Sequence, residues 1–73
     1  MTNGEKPATY GWREGRVEHE LHKRPSTVPE LAERTRLTEV EVRVALRNLQ
    51  RRGFAKIDGK QDGELIWEYV LAA

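Results

Sequence analysis

The stretch Thr38–Phe54, TEVEVRVALRNLQRRGF, decides the fold. Thr38 followed three residues later by Glu41 forms a capping box, which satisfies two amides that the start of a helix leaves unpaired. Val42, Ala45, Leu46 and Leu49 then recur at i, i+3, i+4 and i+7, the spacing of a face turned to a core. Gly53 stands where a left-handed residue ends a helix, so the pattern predicts a helix running to about Arg52. At 3.6 residues per turn, the opposite direction is taken by Val40, Val44, Arg47 and Arg51, with Arg43 and Asn48 on the flanks.

Upstream, Ser26-Thr27-Val28-Pro29-Glu30 is a second helix start. Thr27 is its cap, Glu30 lies three residues on, and Pro29 is tolerated in a first turn. This helix carries Leu31 and Ala32 inward and ends near Arg34 or Thr35, and a minimal strand is expected at Thr27-Val28. A first helix is expected from Gly11 or Trp12 to about Arg24, stopped by Pro25. Val17 and Leu21 share one of its faces, with Tyr10 or Trp12 extending the stripe. Residues 1–9 combine Gly, Pro and polar side chains without periodicity, which predicts a flexible arm before a domain spanning 10–73.

Downstream, Phe54–Ile57 reads as a short strand. Asp58-Gly59 and Asp62-Gly63 are turn dipeptides that flank a polar tip, Lys60-Gln61. Glu64–Leu71 is rich in β-branched and aromatic residues and places Leu65, Trp67, Tyr69 and Leu71 on one face. The expected fold class is therefore α+β, mainly α, with three helices followed by a C-terminal β-hairpin. Its core is expected to hold Val17, Leu21, Val28, Leu31, Ala32, Leu37, Val42, Ala45, Leu46, Leu49, Phe54, Ile57 and part of the last strand.

Composition limits what such a domain can be. The 73 residues are 37% hydrophobic and 34% charged, and no cysteine is present. With neither disulfides nor thiolate metal ligands, the core holds the fold unaided. No apolar run is long enough to span a membrane, and Met1–Ala8 has neither a signal-like core nor the look of a transit peptide. A soluble cytoplasmic protein is expected. The net charge of +1 is small, but its distribution is uneven. Residues 31–57 set Arg34, Arg36, Arg43, Arg47, Arg51, Arg52 and Lys56 against Glu33, Glu39 and Glu41, whereas residues 58–73 set Lys60 against Asp58, Asp62, Glu64 and Glu68. A basic middle thus precedes an acidic end.

Two short helices joined by about three residues, the second capped and basic, match the helix-turn-helix plan. With a helix before them and a hairpin after, the sequence resembles the winged helix-turn-helix superfamily over residues 12–71. The resemblance rests on Val28-x-x-Leu31-Ala32, Leu37-Thr38, Val42-x-x-Ala45-Leu46-x-x-Leu49-x-x-x-Gly53-Phe54 and the Trp67 strand. It implies that the helix after Thr38 enters the major groove of double-stranded DNA, in a small transcriptional regulator or accessory factor. Arg43, Arg47 and Arg51 then suit guanine and Asn48 adenine, while Val40 and Val44 suit thymine methyl groups. Amides around Thr38, and the side chains of Arg34, Arg36, Arg52 and the wing's Lys60, suit phosphates.

Three features depart from the superfamily pattern. A glycine often precedes the position of Leu37, but here it is Arg36, so a longer or differently shaped turn is expected. The wing is acidic, with Asp58, Asp62 and Glu64 beside Lys60. Trp67 resembles the wing-strand tryptophan of the Z-DNA-binding branch, yet that branch typically has Asn and Tyr where this chain has Arg43 and Arg47. That function is therefore not carried over. The competing reading is a winged-helix adaptor that meets another protein through Val40, Val44 and the acidic wing. No further helix follows Leu71, so a homodimer or a larger protein partner is expected to supply additional contacts.

Enzymatic readings find little support. His19 and His22 lie three apart beside Glu18, but no third ligand pattern accompanies them and both read as solvated side chains. No glycine-rich phosphate loop and no Ser/His/Asp spacing occurs. Neither an enzyme, a cofactor, a metal nor a small-molecule ligand is expected.

Overall fold

Each helix begins with a glutamate reaching back to the residue that caps it. In a computed structural model, which describes residues 11–71, α1 spans Trp12–Lys23, α2 Val28–Thr35 and α3 Glu39–Arg51. At α1, Glu14 Oε1 accepts the Gly11 amide at 3.0 Å. At α2, the Thr27 amide donates to Glu30 Oε1 at 2.9 Å, and at α3 the Thr38 amide donates to Glu41 Oε1 at 2.9 Å. The Thr27 and Thr38 hydroxyls accept the Glu30 and Glu41 amides in return, so both capping boxes expected from sequence are closed.

The helix ends are equally defined. After α3, Gly53 has φ +86°, its amide donates to Gln50, and the Phe54 amide donates to Leu49. This is a Schellman ending, and Phe54 packs back on the core as that motif favours. After α2, Arg36 itself takes the left-handed conformation, with φ +66° and ψ +23°, and its amide donates to Ala32. The expected longer turn is therefore corrected. The chain makes the tight turn a glycine would make and accepts the cost of a side chain there.

Two-residue β1 (Ser26–Thr27), β2 (Ala55–Gln61) and β3 (Glu64–Tyr69) form an antiparallel sheet in the order β1-β3-β2. Ser26 pairs with Trp67 and Thr27 with Ile66, so the minimal strand lies one residue earlier than expected. The hairpin also differs from expectation. Only Asp62-Gly63 turns the chain, with φ +52° and +81°, the two positive values of a type I′ loop. Asp58-Gly59 instead forms a bulge within β2, between the Ile57–Trp67 and Lys60–Leu65 pairs. Lys60 is therefore a strand residue and not the tip.

Val17, Leu21, Val28, Leu31, Leu37, Val42, Ala45, Leu46, Leu49, Ala55 and Trp67 are buried together, with Ala32, Phe54 and Tyr69 partly covered against them. Ile57, expected in the core, is 43% exposed. Burial along β2 ends at Ala55, and Ile57 lies opposite Trp67 on a strand exposed from Lys56 onward. Trp12 at 52%, and likewise Leu65 and Leu71, are exposed rather than core. Tyr10 and the arm 1–9 lie outside the described residues. Among the described residues, no helix is long and apolar enough to cross a membrane.

Candidate nucleic-acid interface

Because α3 hides Val42, Ala45, Leu46 and Leu49, its opposite side must face solvent. Val40 is 67% and Val44 55% exposed, and with Arg43, Arg47, Asn48 and Arg51 they line one shallow groove of about 220 Å³ along the helix. Arg47 and Arg51 make no ion pair with any described residue. Arg43 Nη2 meets Glu39 Oε1 at 3.3 Å, one turn back, with both side chains about half exposed. Such an open pair contributes at most about 1 kcal/mol, so it holds Arg43 loosely. The row of guanidinium groups expected from sequence is thus brought together and left accessible.

Other expected residues are placed differently. Arg34 is not on this face. Its Nε pairs with Glu20 of α1 at 3.0 Å and its Nη2 donates to Ser26 Oγ at 2.8 Å, which ties α1, β1 and α2 together. The hydrogen bond from Arg34 holds the Glu20 carboxyl below the usual glutamate range. Asn48 lines the groove, but its Nδ2 donates to Glu14 Oε2 at 2.7 Å. The paired contact to adenine expected of its amide is therefore partly pre-empted. The Thr38 amide, expected at a phosphate, donates to Glu41 Oε1 at 2.9 Å, and the Thr38 hydroxyl accepts the Glu41 amide. Arg36 is exposed at the α2–α3 turn, Arg52 follows α3, and Lys60 sits on the wing among Asp58, Asp62 and Glu64.

Sequence reasoning missed the contribution of α1. Arg13 Nε pairs with Glu41 Oε2 at 3.2 Å, bringing its guanidinium to the first turn of α3. Arg13 and Arg16 both lie over the Trp12 ring, at 4.6 and 5.9 Å from its centroid, and Arg16 Nη2 donates to the carbonyl of Thr35 at 2.7 Å. Cations of α1 thus flank the same end of α3 as Arg36. The only sequence signal was the Trp-Arg-x-x-Arg cluster itself, since pairing across 28 positions leaves no local trace. The Thr38 amide, chiefly, holds the Glu41 carboxyl below its ordinary range, with the Arg13 charge adding to it.

The His22 ring packs against Tyr69 with centroids 3.7 Å apart and the planes tilted by 34°, and its Nε2 lies 3.8 Å from Glu18. Among the described residues, no three His, Asp or Glu side chains converge in a way that could hold a metal ion.

Comparison with known proteins is informative at the level of structure. No family model matches the chain, and no curated protein matches it in sequence. A single-residue mutant of Lactococcus lactis ZitR superposes with a TM-score of 0.79 at 18% identity, covering 96% of this chain and 49% of that one. ZitR solved in complex with DNA gives 0.65 at 20% identity, covering 94% and 46%. A structure described as a zinc-responsive MarR family member, again L. lactis ZitR, gives 0.67 at 21% identity over the same shares of 94% and 46%. The chain has the winged helix-turn-helix fold. It spans about half the length of the solved chains it matches. Within that winged helix, α2 and α3 are the helix-turn-helix pair and β2–β3 form the wing.

Proposed function

We propose that this winged helix binds double-stranded DNA by inserting α3 into the major groove, as the reading head of a transcriptional regulator. One observation carries the reading: Arg43, Arg47 and Arg51 stand in an open row with Val40 and Val44, and the neighbouring carboxylates of Glu14 and Glu41 are occupied by intramolecular donors. That surface offers bidentate donors and methyl-sized apolar contacts, the two kinds of group that read base edges. Arg36, Arg52 and the α1 cations Arg13 and Arg16 supply phosphate contacts on either side. The fold it shares with ZitR, one form of which was solved with DNA, supports the reading and favours it over an adaptor or an enzyme. A role on DNA places the protein in the compartment that holds it, in keeping with a cytoplasmic location.

A head with this few phosphate contacts binds weakly alone. Tight binding calls for a second head, from a homodimer or from a larger partner. The acidic wing is repelled by phosphate and lies away from the backbone, so Lys60 contributes little.

The test is an amide-shift titration with a generic duplex at low and high salt. Salt-sensitive shifts clustered on residues 38–52 support the reading, because counterion release makes affinity fall steeply with salt. An absence of shifts at low salt overturns it, and so do shifts confined to the wing.

A further inference from the structure

We infer that Glu39 is a specificity-determining residue, acting with Arg43 to select a C·G base pair. The inference rests on the DNA-binding reading above and names what the first turn of α3 takes.

An exposed carboxylate at the leading end of a groove-binding helix has to be accounted for, because it repels phosphates whatever the sequence. The closed box at Thr38 uses Glu41, so the structural role left to Glu39 is to complement the helix dipole in the first turn, which Glu41 already does. Glu39 is neither buried nor fixed from outside the helix. Its side chain is 50% exposed, Oε1 meets only Arg43, and among the described residues Oε2 has no hydrogen-bond partner. The pair therefore presents an acceptor and a donor side by side, 3.3 Å apart, on the turn of the helix that meets base edges.

A C·G pair presents the complementary arrangement in the major groove. Cytosine N4 is a donor, and guanine O6 and N7 are acceptors. N4 and O6 are joined by the pair's own hydrogen bond, so they stand about 2.9 Å apart, close to the spacing of the Glu39 and Arg43 tips. An A·T pair satisfies the carboxylate through adenine N6 but gives the guanidinium the single acceptor O4 beside a methyl group. Reversed pairs set like against like. Val40, exposed next to Glu39, adds an apolar contact that suits thymine at the adjacent step.

The experiment is selection from a randomised duplex pool with the wild-type chain and with Glu39→Ala, followed by anisotropy titrations at one low salt concentration. The wild type is expected to enrich a C·G pair at one position, and exchanging it for T·A should weaken binding about tenfold. Glu39→Ala should reduce that discrimination to about threefold, the part that Arg43 retains through guanine, and should bind the unselected pool more tightly, because a repelling charge is gone. Circular dichroism of the variant checks that this exposed substitution leaves the fold intact. The inference is overturned if Glu39→Ala keeps the tenfold preference, if it binds the pool more weakly, or if the wild type selects no C·G pair. Failure of both chains to bind any duplex overturns the DNA reading itself, and is thereby distinguished from loss of the specificity assignment alone.

Discussion

Asn48 Nδ2 donates a 2.7 Å hydrogen bond to Glu14 Oε2, joining α3 to the first turn of α1 across 34 positions of sequence. The other oxygen of the same carboxylate accepts the Gly11 amide. Glu14 therefore starts one helix and anchors it to another. On the neighbouring residue, Arg13 makes a second link to Glu41. Together they fasten α3 to α1 through two side-chain links.

Breaking that brace should loosen the fold before it touches the ligand. Replacing Glu14 with Ala removes a helix cap and a partly buried acceptor, which should cost about 1–2 kcal/mol in urea unfolding. Asn48→Ala should cost about 1 kcal/mol, and a double-mutant cycle should return a coupling of at least about 0.5 kcal/mol. Additive losses would show that the hydrogen bond between them contributes nothing to stability.

Acid should act through the same carboxylates. Glu14 is raised by burial but carried below its ordinary value by the hydrogen bonds from Asn48 and Gly11. Glu20, Glu30 and Glu41 are also lowered, chiefly by Arg34, by the Thr27 amide and by the Thr38 amide. The unfolded chain then binds protons more readily than the folded one, so stability is complete above the ordinary glutamate pKa of about 4.3 and is lost as pH falls through the folded values. Thermal midpoints should be level from about pH 7 to 5 and should decline below about 4.3, with a shallower decline in Glu20→Gln. A decline already present between pH 7 and 5 would contradict this assignment.

Much of the fold could be read locally, because its signals act over three or four residues. Thr27 with Glu30, Thr38 with Glu41, and Gly53 each announce a helix boundary, and the spacing from Val42 to Leu49 announces the buried face. What escaped was decided elsewhere. Asp58-Gly59 and Asp62-Gly63 are equivalent as dipeptides, and only pairing with β3 made one a turn and the other a bulge. Ile57 has the chemistry of a core residue on a strand that the helices fail to cover. Arg34 and Asn48 suited DNA by type, but their partners Glu20 and Glu14 lie on α1 and could not be inferred from neighbouring positions.

Arg34 and Arg47 should accordingly separate in experiment. Arg47→Ala and Arg51→Ala remove exposed side chains that no described residue pairs with, so stability should move by less than about 0.5 kcal/mol. Combined, they should lower affinity for duplex DNA at least about tenfold at low salt and flatten its salt dependence, by about one in slope for each phosphate no longer neutralised. Arg34→Ala should instead cost about 1–2 kcal/mol of stability, leaving Glu20 Oε1 and Ser26 Oγ without the donor it supplies, and should leave the salt slope unchanged. Reversal of these two patterns, read by denaturation and anisotropy, would move Arg34 onto the binding face.

Arg36 sets stability against charge at one position. A non-glycine residue at φ +66° carries roughly 1 kcal/mol of backbone strain, whereas Gly53 meets the corresponding need at φ +86° without it. Arg36→Gly should therefore stabilise the fold, by about 0.5 kcal/mol once the greater freedom of glycine in the unfolded chain is deducted. Gly53→Ala, which meets open space but the wrong conformation, should destabilise it by about 1 kcal/mol. If the Arg36 guanidinium meets a phosphate beside the first turn of α3, the stabilised variant should also bind DNA more weakly, with a salt slope reduced by about one. Opposite signs in the two measurements would explain an arginine where the backbone favours glycine. A variant that is more stable and binds with an undiminished slope would leave that strain without a functional reason.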